Sequence, residues 1–170
     1  MRDDTFEASR RALMRGGAAG LAMLGLFASK AQAQTQKMTP QEAANVKVVN
    51  DFLKAGEKPK DAAAGLPWLA ADAAYRMTEA MPWDKGHDAI VARLKPFVDN
   101  ADKIEFKVLA THVAGPIVIN HRIDTFTSTT RPLLFEGVGV FFIKNGKIQE
   151  WTDYTIRAAL SNTWPAAKPA

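Results

Sequence analysis

The sequence predicts an α+β fold, with N-terminal helices packed in a curved antiparallel sheet. Three observations carry this prediction. Apolar residues recur at helical spacing in two stretches of the first hundred residues. Four β-rich runs then follow one another from Lys103 onward. Only short turn sequences separate those runs, so neighbours pair antiparallel, and helices followed by strands is the order of an α+β domain. With 170 residues, 47% of them hydrophobic and 24% charged, the chain has the composition of one globular domain. It is too apolar for a disordered protein and too mixed for a membrane bundle.

Residues 1–33 have the plan of a cleaved export signal. Ser9-Arg10-Arg11-Ala12-Leu13-Met14-Arg15 is a basic start with an arginine pair, as in bacterial twin-arginine signals. Gly16 to Ala28 is an uncharged run, and Ala31-Gln32-Ala33 is a small-residue cleavage site. Those thirteen uncharged residues would span about 20 Å as a helix, short of a bilayer's ~30 Å core. A periplasmic protein starting near Gln34, with no stable membrane anchor, is the expectation. Residues 34–38 read as a loose linker, 39–160 as a single domain and 161–170 as a tail.

Thr39-Pro40-Gln41-Glu42 is a helix start with a capping box and proline at the first helical position. Ala44, Val48, Val49, Phe52 and Leu53 form its apolar face, and Gly56 stops it. Lys58 to Ala71, broken by Pro59, Gly65 and Pro67, predicts a short helix or two around Leu66, Trp68 and Leu69. Ala73–Met77 is a short strand and Met81–Gly86 a loop. His87 to Asn100 is a second long helix, with Ile90, Val91, Leu94, Phe97 and Val98 on one face; Pro96 should kink or end it. The strands are Ile104–Val113, Ile117–Thr127, Leu133–Lys144 and Lys147–Ile156. Asn145-Gly146 between the last two is the strongest hairpin signal in the chain. A sheet curved around the helices encloses a conical pocket, where ligands sit.

Composition narrows the chemistry. There is no cysteine, which excludes a disulfide, a thiolate nucleophile and Cys-ligated metals. His87, His112 and His121 lack helical metal-ligand spacing, so no metal site is expected. The net charge is +4, and the export segment contributes +2 of it. The remainder carries no basic block, so nucleic acid is not an expected partner.

Strand alternation places Asn120, Arg122 and Asp124 on one face, with His121 on the other, and it places Trp151 with Asp153. If the two faces are the same concave side, one guanidinium lies between two carboxylates. Arginine keeps its proton and its planar fork can bond two carboxylates at once. Burial raises a carboxyl pKa while the arginine lowers it, so one acid can stay ionised as its partner keeps a proton. The same residues also fit a structural salt bridge across a sheet. His112 could face the pocket. The aromatic residues are mostly core, with some lining an apolar pocket; Met77, Trp83, Asn120, Phe141 and Trp151 are the candidate substrate contacts, Trp83 from a loop.

Tyr75 ahead of a loop with Pro82, Gly86-His87-Asp88-Ala89-Ile90, Arg122-Ile123-Asp124, Gly137-Val138-Gly139-Val140-Phe141, Asn145-Gly146-Lys147-Ile148 and Trp151-Thr152-Asp153-Tyr154 form a set. Together they resemble the limonene-1,2-epoxide hydrolase family of the nuclear transport factor 2-like superfamily. The resemblance implies a cone-shaped barrel and one-step epoxide opening without a covalent ester. It implies Asp153 as the base toward water, Arg122 as the bridge, Asp124 as the acid toward the epoxide oxygen and Tyr75 as a water-holding hydroxyl. No metal or organic cofactor is implied. A small apolar substrate and a homodimer formed through the outer sheet face are. One position departs from the pattern: the family's Tyr-x-Asn is Tyr75-Arg76-Met77 here. Either Asn120 or another group replaces that water ligand, or hydrolysis is weak or lost. Isomerases and cyclases of the ketosteroid isomerase and polyketide cyclase type, and noncatalytic ligand-binding modules, share the fold and stand as alternatives.

Overall fold

A computed structural model describes residues 37–130 and 132–159. The export signal, most of the linker and the tail expected at 161–170 lie outside the described residues.

Helix α1 spans Pro40–Gly56. The expected capping box is present: Thr39 Oγ1 accepts from the Glu42 N–H at 3.2 Å, and Glu42 Oε2 accepts from the Thr39 N–H at 2.9 Å. Val49, Phe52 and Leu53 are buried, but Ala44 is exposed and Asn45 is buried in its place. Asn45 earns its burial by hydrogen bonds. Its Nδ2 donates to the Gly115 carbonyl at 2.9 Å, and its Oδ1 accepts from Gln41 at 3.0 Å. That ties α1 to the turn after the first long strand, a contact that apolar periodicity does not register.

A 3₁₀ turn, Leu66–Trp68, leads directly into β1, Leu69–Arg76. The strand is longer than the expected Ala73–Met77, and it starts where a helix around Leu69 was expected. The loop expected at Met81–Gly86 contains a two-residue strand, β2, Asp84–Lys85. Helix α2 spans His87–Val98 and runs two residues past Pro96, so the proline stands in the last turn instead of ending the helix at its own position. Strands β3 (Lys103–Ala114), β4 (Ile117–Thr127), β5 (Leu133–Lys144) and β6 (Lys147–Ala159) follow. Asn145 and Gly146 join β5 to β6 with φ of 51° and 71°. Two positive φ values are the demand of a type I′ hairpin turn, which Asn-Gly meets.

The strands form one six-stranded sheet in the order β2-β1-β6-β5-β4-β3. β3 through β6 are the expected antiparallel meander. β1 runs parallel to β6, so the sheet is mixed, and it ends in two free edges, β2 and β3, so the expected barrel is not closed. Parallel pairing needs a long crossover; here α2, β3, β4 and β5 supply it.

Val49, Phe52 and Leu53 of α1 pack against Val118, Phe141, Ile143, Ile148 and Trp151 of the sheet. A smaller cluster of Val98, Ala101 and Ile104 closes the other end of α2. A cavity lined by Leu94, Phe97, Val98 and Phe106 opens beside this second cluster. No described helix is long and apolar enough to cross a membrane.

Candidate active site

Alternation on β4 aims Asn120, Arg122 and Asp124 inward, and alternation on β6 aims Trp151 and Asp153 inward. β5 lies between those strands. Its positions opposite Arg122 and Asn120 are Gly137 and Gly139, and Gly139 is also opposite Asp153. No side chain from β5 therefore stands between the arginine and the far carboxylate.

Arg122 joins the two acids. Its Nε donates to Asp124 Oδ1 and Oδ2 at 2.9 and 3.1 Å, and its Nη2 donates to Asp153 Oδ1 at 2.7 Å. Asp153 receives two further hydrogen bonds, from Trp151 Nε1 at 2.8 Å and from the Tyr75 hydroxyl at 3.2 Å. β1 supplies Tyr75, whose partner in the parallel register is Trp151. The two rings stack with centroids 3.9 Å apart.

The group is largely dry. The Arg122 side chain is 5% exposed, and those of Asp124 and Asp153 are 15% and 16% exposed. Burial pushes the Asp124 carboxyl up to about 6; the Arg122 cation lowers it, and the charge of Asp153 raises it again. Burial works against the Arg122 cation, but Asp153 and then Asp124 outweigh it and hold its pKa above the ordinary value. Burial, and then the charge of Asp153, holds the Tyr75 hydroxyl well above its usual range, so it remains a donor. Asp124 is thus an acid that titrates close to neutrality, while Asp153 is surrounded by three donors.

The carboxylates face a cavity of about 140 Å³. Its wall includes Met77, Leu94, Phe97, Phe106, Phe126 and Phe135. Phe97, Phe126 and Phe135 approach one another with centroids 6.0 to 6.1 Å apart, and Phe106 meets Phe126 at 6.1 Å. The polar functions are gathered at one side of an aromatic wall, a common plan for a small-molecule site.

Asp124, Arg122, Asp153, Tyr75, Met77 and Trp151 therefore all come together at the cavity. Three expected substrate contacts do not. Phe141 is fully buried in the core, between Phe52 and Trp151. Asn120 faces inward but lies behind Arg122 instead of on the cavity wall, so it does not replace the missing water ligand. Trp83 packs on the Arg76 guanidinium at 4.8 Å and borders a shallow recess with Asp72 and Lys85. Arg76 alternates with Tyr75, so this recess is on the other side of β1. His112 is exposed and stands outside the cavity lining, and the outward His121 pairs with Glu136 at 2.9 Å. The sequence implies that some aromatic residues line the pocket but not which; the Trp151–Asp153 hydrogen bond is absent from that reading. The bond was detectable, because W-x-D in a strand places both side chains on one face.

The sequence profile described as limonene-1,2-epoxide hydrolase catalytic domain matches residues 43–165. The chain belongs to this family. As a limonene-1,2-epoxide hydrolase family member, it is similar in structure to a Mycobacterium tuberculosis epoxide hydrolase of the same type, with a TM-score of 0.58 and 22% identity over 68% of this chain and 85% of that one. A putative SnoaL-like polyketide cyclase from Jannaschia sp. CCS1 matches with a TM-score of 0.62 and 16% identity, over 71% of this chain and 91% of that one. A protein of ketosteroid isomerase-like fold from Catenulispora acidiphila, crystallised with trimethylamine, matches with a TM-score of 0.53 and 16% identity, over 69% and 86%. These likenesses place this epoxide hydrolase family member in the nuclear transport factor 2-like fold. No curated protein sequence matches it significantly.

Proposed function

We propose that the protein hydrolyses a small apolar epoxide to a diol in one step. The observation that carries this reading is the pair of carboxylates on one buried arginine, facing an aromatic cavity, with one of the pair titrating near 6. Opening an epoxide in water requires a proton for the leaving oxygen and loss of a proton from the entering water, on opposite sides of the breaking bond.

Asp153 is the base. Its Oδ1 accepts from Arg122 and Trp151, and among the described residues its Oδ2 accepts from Tyr75 alone, which leaves room for that oxygen to accept from water. The Tyr75 oxygen retains lone pairs for the same water. Asp153 takes the water proton as the oxygen attacks an epoxide carbon. The C–O bond breaks, and Asp124 gives its proton to the released oxygen. Arg122 remains charged throughout and balances the negative charge as it moves from Asp153 to Asp124. A proton then passes from Asp153 back to Asp124 through solvent, which restores the starting state. No cofactor enters this scheme.

The test is incubation of purified protein with limonene 1,2-epoxide and a panel of lipophilic epoxides, followed by chromatography of the diols. Wild-type protein forms diol, and Asp153→Asn lowers the rate about 10³-fold, within the range for loss of a general base. No diol from folded wild-type protein on any epoxide overturns the reading.

Met77 favours a second reading. It lines the cavity beside Tyr75, and its thioether is a poor hydrogen-bond partner for water. A dry pocket suits a carbonyl substrate, with the acids moving protons next to the carbonyl. Turnover of enolisable ketones without incorporation of solvent oxygen identifies this outcome. Two expectations from the sequence complete the proposal: export to the periplasm, and a homodimer through the outer sheet face. The second is supported by Ile117, Phe142, Tyr154 and Ile156, all more than a third exposed.

A further inference from the structure

Arg122 makes one contact that the proposed chemistry does not use. Its Nη1 donates to Asn120 Oδ1 at 3.0 Å, away from the cavity. Asn120 is 1% exposed, and its own Nδ2 has no hydrogen-bond partner among the described residues. A buried amide N–H without an acceptor is destabilising. The amide satisfies one buried donor, Arg122 Nη1, while leaving its own Nδ2 unpaired. What the amide supplies is an acceptor without charge. A carboxylate in its place would set a third anion around one cation and compete with Asp124 and Asp153.

Gly139 fits the same picture. A Cβ on Gly139 would collide with Arg122 Nη1 and lie 2.7 Å from Phe141 Cε2 and 3.0 Å from Asn120 Oδ1. Its φ is outside the left-handed region, so the backbone does not require glycine. The space above it does. Arg122 reaches over β5 to Asp153 through that space.

We propose that Asn120 and Gly139 are positioning residues for Arg122. Gly139 leaves the slot through which the guanidinium crosses β5. Asn120 fixes its rotation there, so that Nε meets Asp124 while Nη2 meets Asp153. The guanidinium is planar, so anchoring Nη1 sets the direction of the other two nitrogens. This rests on the reading of Asp124 and Asp153 as the acid and base.

The experiment compares wild type, Asn120→Leu and Gly139→Ala in three measurements: epoxide hydrolysis kinetics, Tm, and titration of the Asp124 carboxyl by carbon NMR. Expected for Asn120→Leu is a kcat about 100-fold lower with KM little changed, as for a slight misplacement of reacting groups. Its Tm falls only modestly, since the orphaned Asn120 donor is removed as Arg122 Nη1 loses its acceptor, and its Asp124 midpoint is higher because the guanidinium no longer lies fixed against it. Gly139→Ala shows the same kinetic loss and the same upward midpoint. Should the leucine variant not fold, Asn120→Ser, with a hydroxyl too short to reach Arg122, carries the same expectation. Wild-type kcat and an unchanged Asp124 midpoint in the Asn120 variant overturn the proposal, as does a kcat loss accompanied by a large fall in Tm and no change in midpoint. If wild type turns over no epoxide, the hydrolase reading fails separately, and the Asp124 titration still decides the roles of Asn120 and Gly139.

Discussion

Phenylalanine fills both ends of this fold, and the two ends use it differently. At the α1 end, Phe52 and Phe141 meet Trp151 with centroids 5.0 and 5.8 Å away, and Phe141 is fully buried. At the α2 end, Phe97, Phe106, Phe126 and Phe135 touch edge to face or tilted and leave a cavity of about 140 Å³. Trp151 and Tyr75 form the boundary, with rings in the packed end and polar atoms at the cavity. Residue type is the same in both regions, so it does not decide between core and pocket. A helix contributes a ring at each end, Phe52 from α1 and Phe97 from α2, but Phe52 approaches Trp151 to 5.0 Å while Phe97 stays 6.0 Å from both Phe126 and Phe135.

Substitutions should separate the two ends. Phe141→Ala opens a new void in a filled region and is expected to cost about 3–5 kcal/mol, read by denaturant unfolding. Phe135→Ala enlarges a void that already exists, so its cost should fall well below that of Phe141→Ala. Equal losses would mean that the cavity end is packed as tightly as the core.

The next effect belongs to the boundary itself. Asp124 is raised from 3.8 to about 6 in the folded state, so the native protein binds that proton more tightly than the unfolded chain does. The resulting stabilisation is full below about pH 4 and is lost as pH rises to 6 and slightly beyond. The difference in Tm between wild type and Asp124→Asn should therefore shift in favour of the variant across that window. Diol formation should fall above pH 6 for the same reason, since the acid must hold its proton. A flat difference would place Asp124 in a wetter site.

The smallest effect tests the frame at the packed end. Thr39→Ala removes the acceptor of one helical N–H and should cost about 1 kcal/mol by denaturant titration, with no change in kinetics.

These comparisons also explain what the sequence could reveal. The meander was legible because period-2 patterning, an Asn-Gly turn and short connections are local signals. Alternation likewise puts Arg122 with Asp124 and Trp151 with Asp153, but only the pairing of the sheet shows that both faces are the concave side. The parallel pairing of β1 with β6 was not legible, because Tyr75 and Trp151 are brought together from 76 positions apart by the rest of the sheet. Depth along the cone was not legible either. Alternation says that Asn120 and Phe141 face inward, but it does not say that they lie below the cavity floor while Asp124 lies above it. Asn45 was missed because a buried polar group looks like a surface residue until its partner, the Gly115 carbonyl, is known.

The Asn145-Gly146 turn lines no part of the cavity, yet it sets which face of β6 one of the cavity groups occupies. Side chains on β6 alternate, so a hairpin one residue longer or shorter would present Thr152 or Tyr154 where Asp153 now meets Arg122. Closing this hairpin joins neighbouring segments, so it costs little chain entropy and can precede the slower docking of β1. Closing in that order would align the base with its glycine slot before the tyrosine that hydrogen-bonds it arrives. An insertion at this remote turn would act as an active-site mutation without touching the active site.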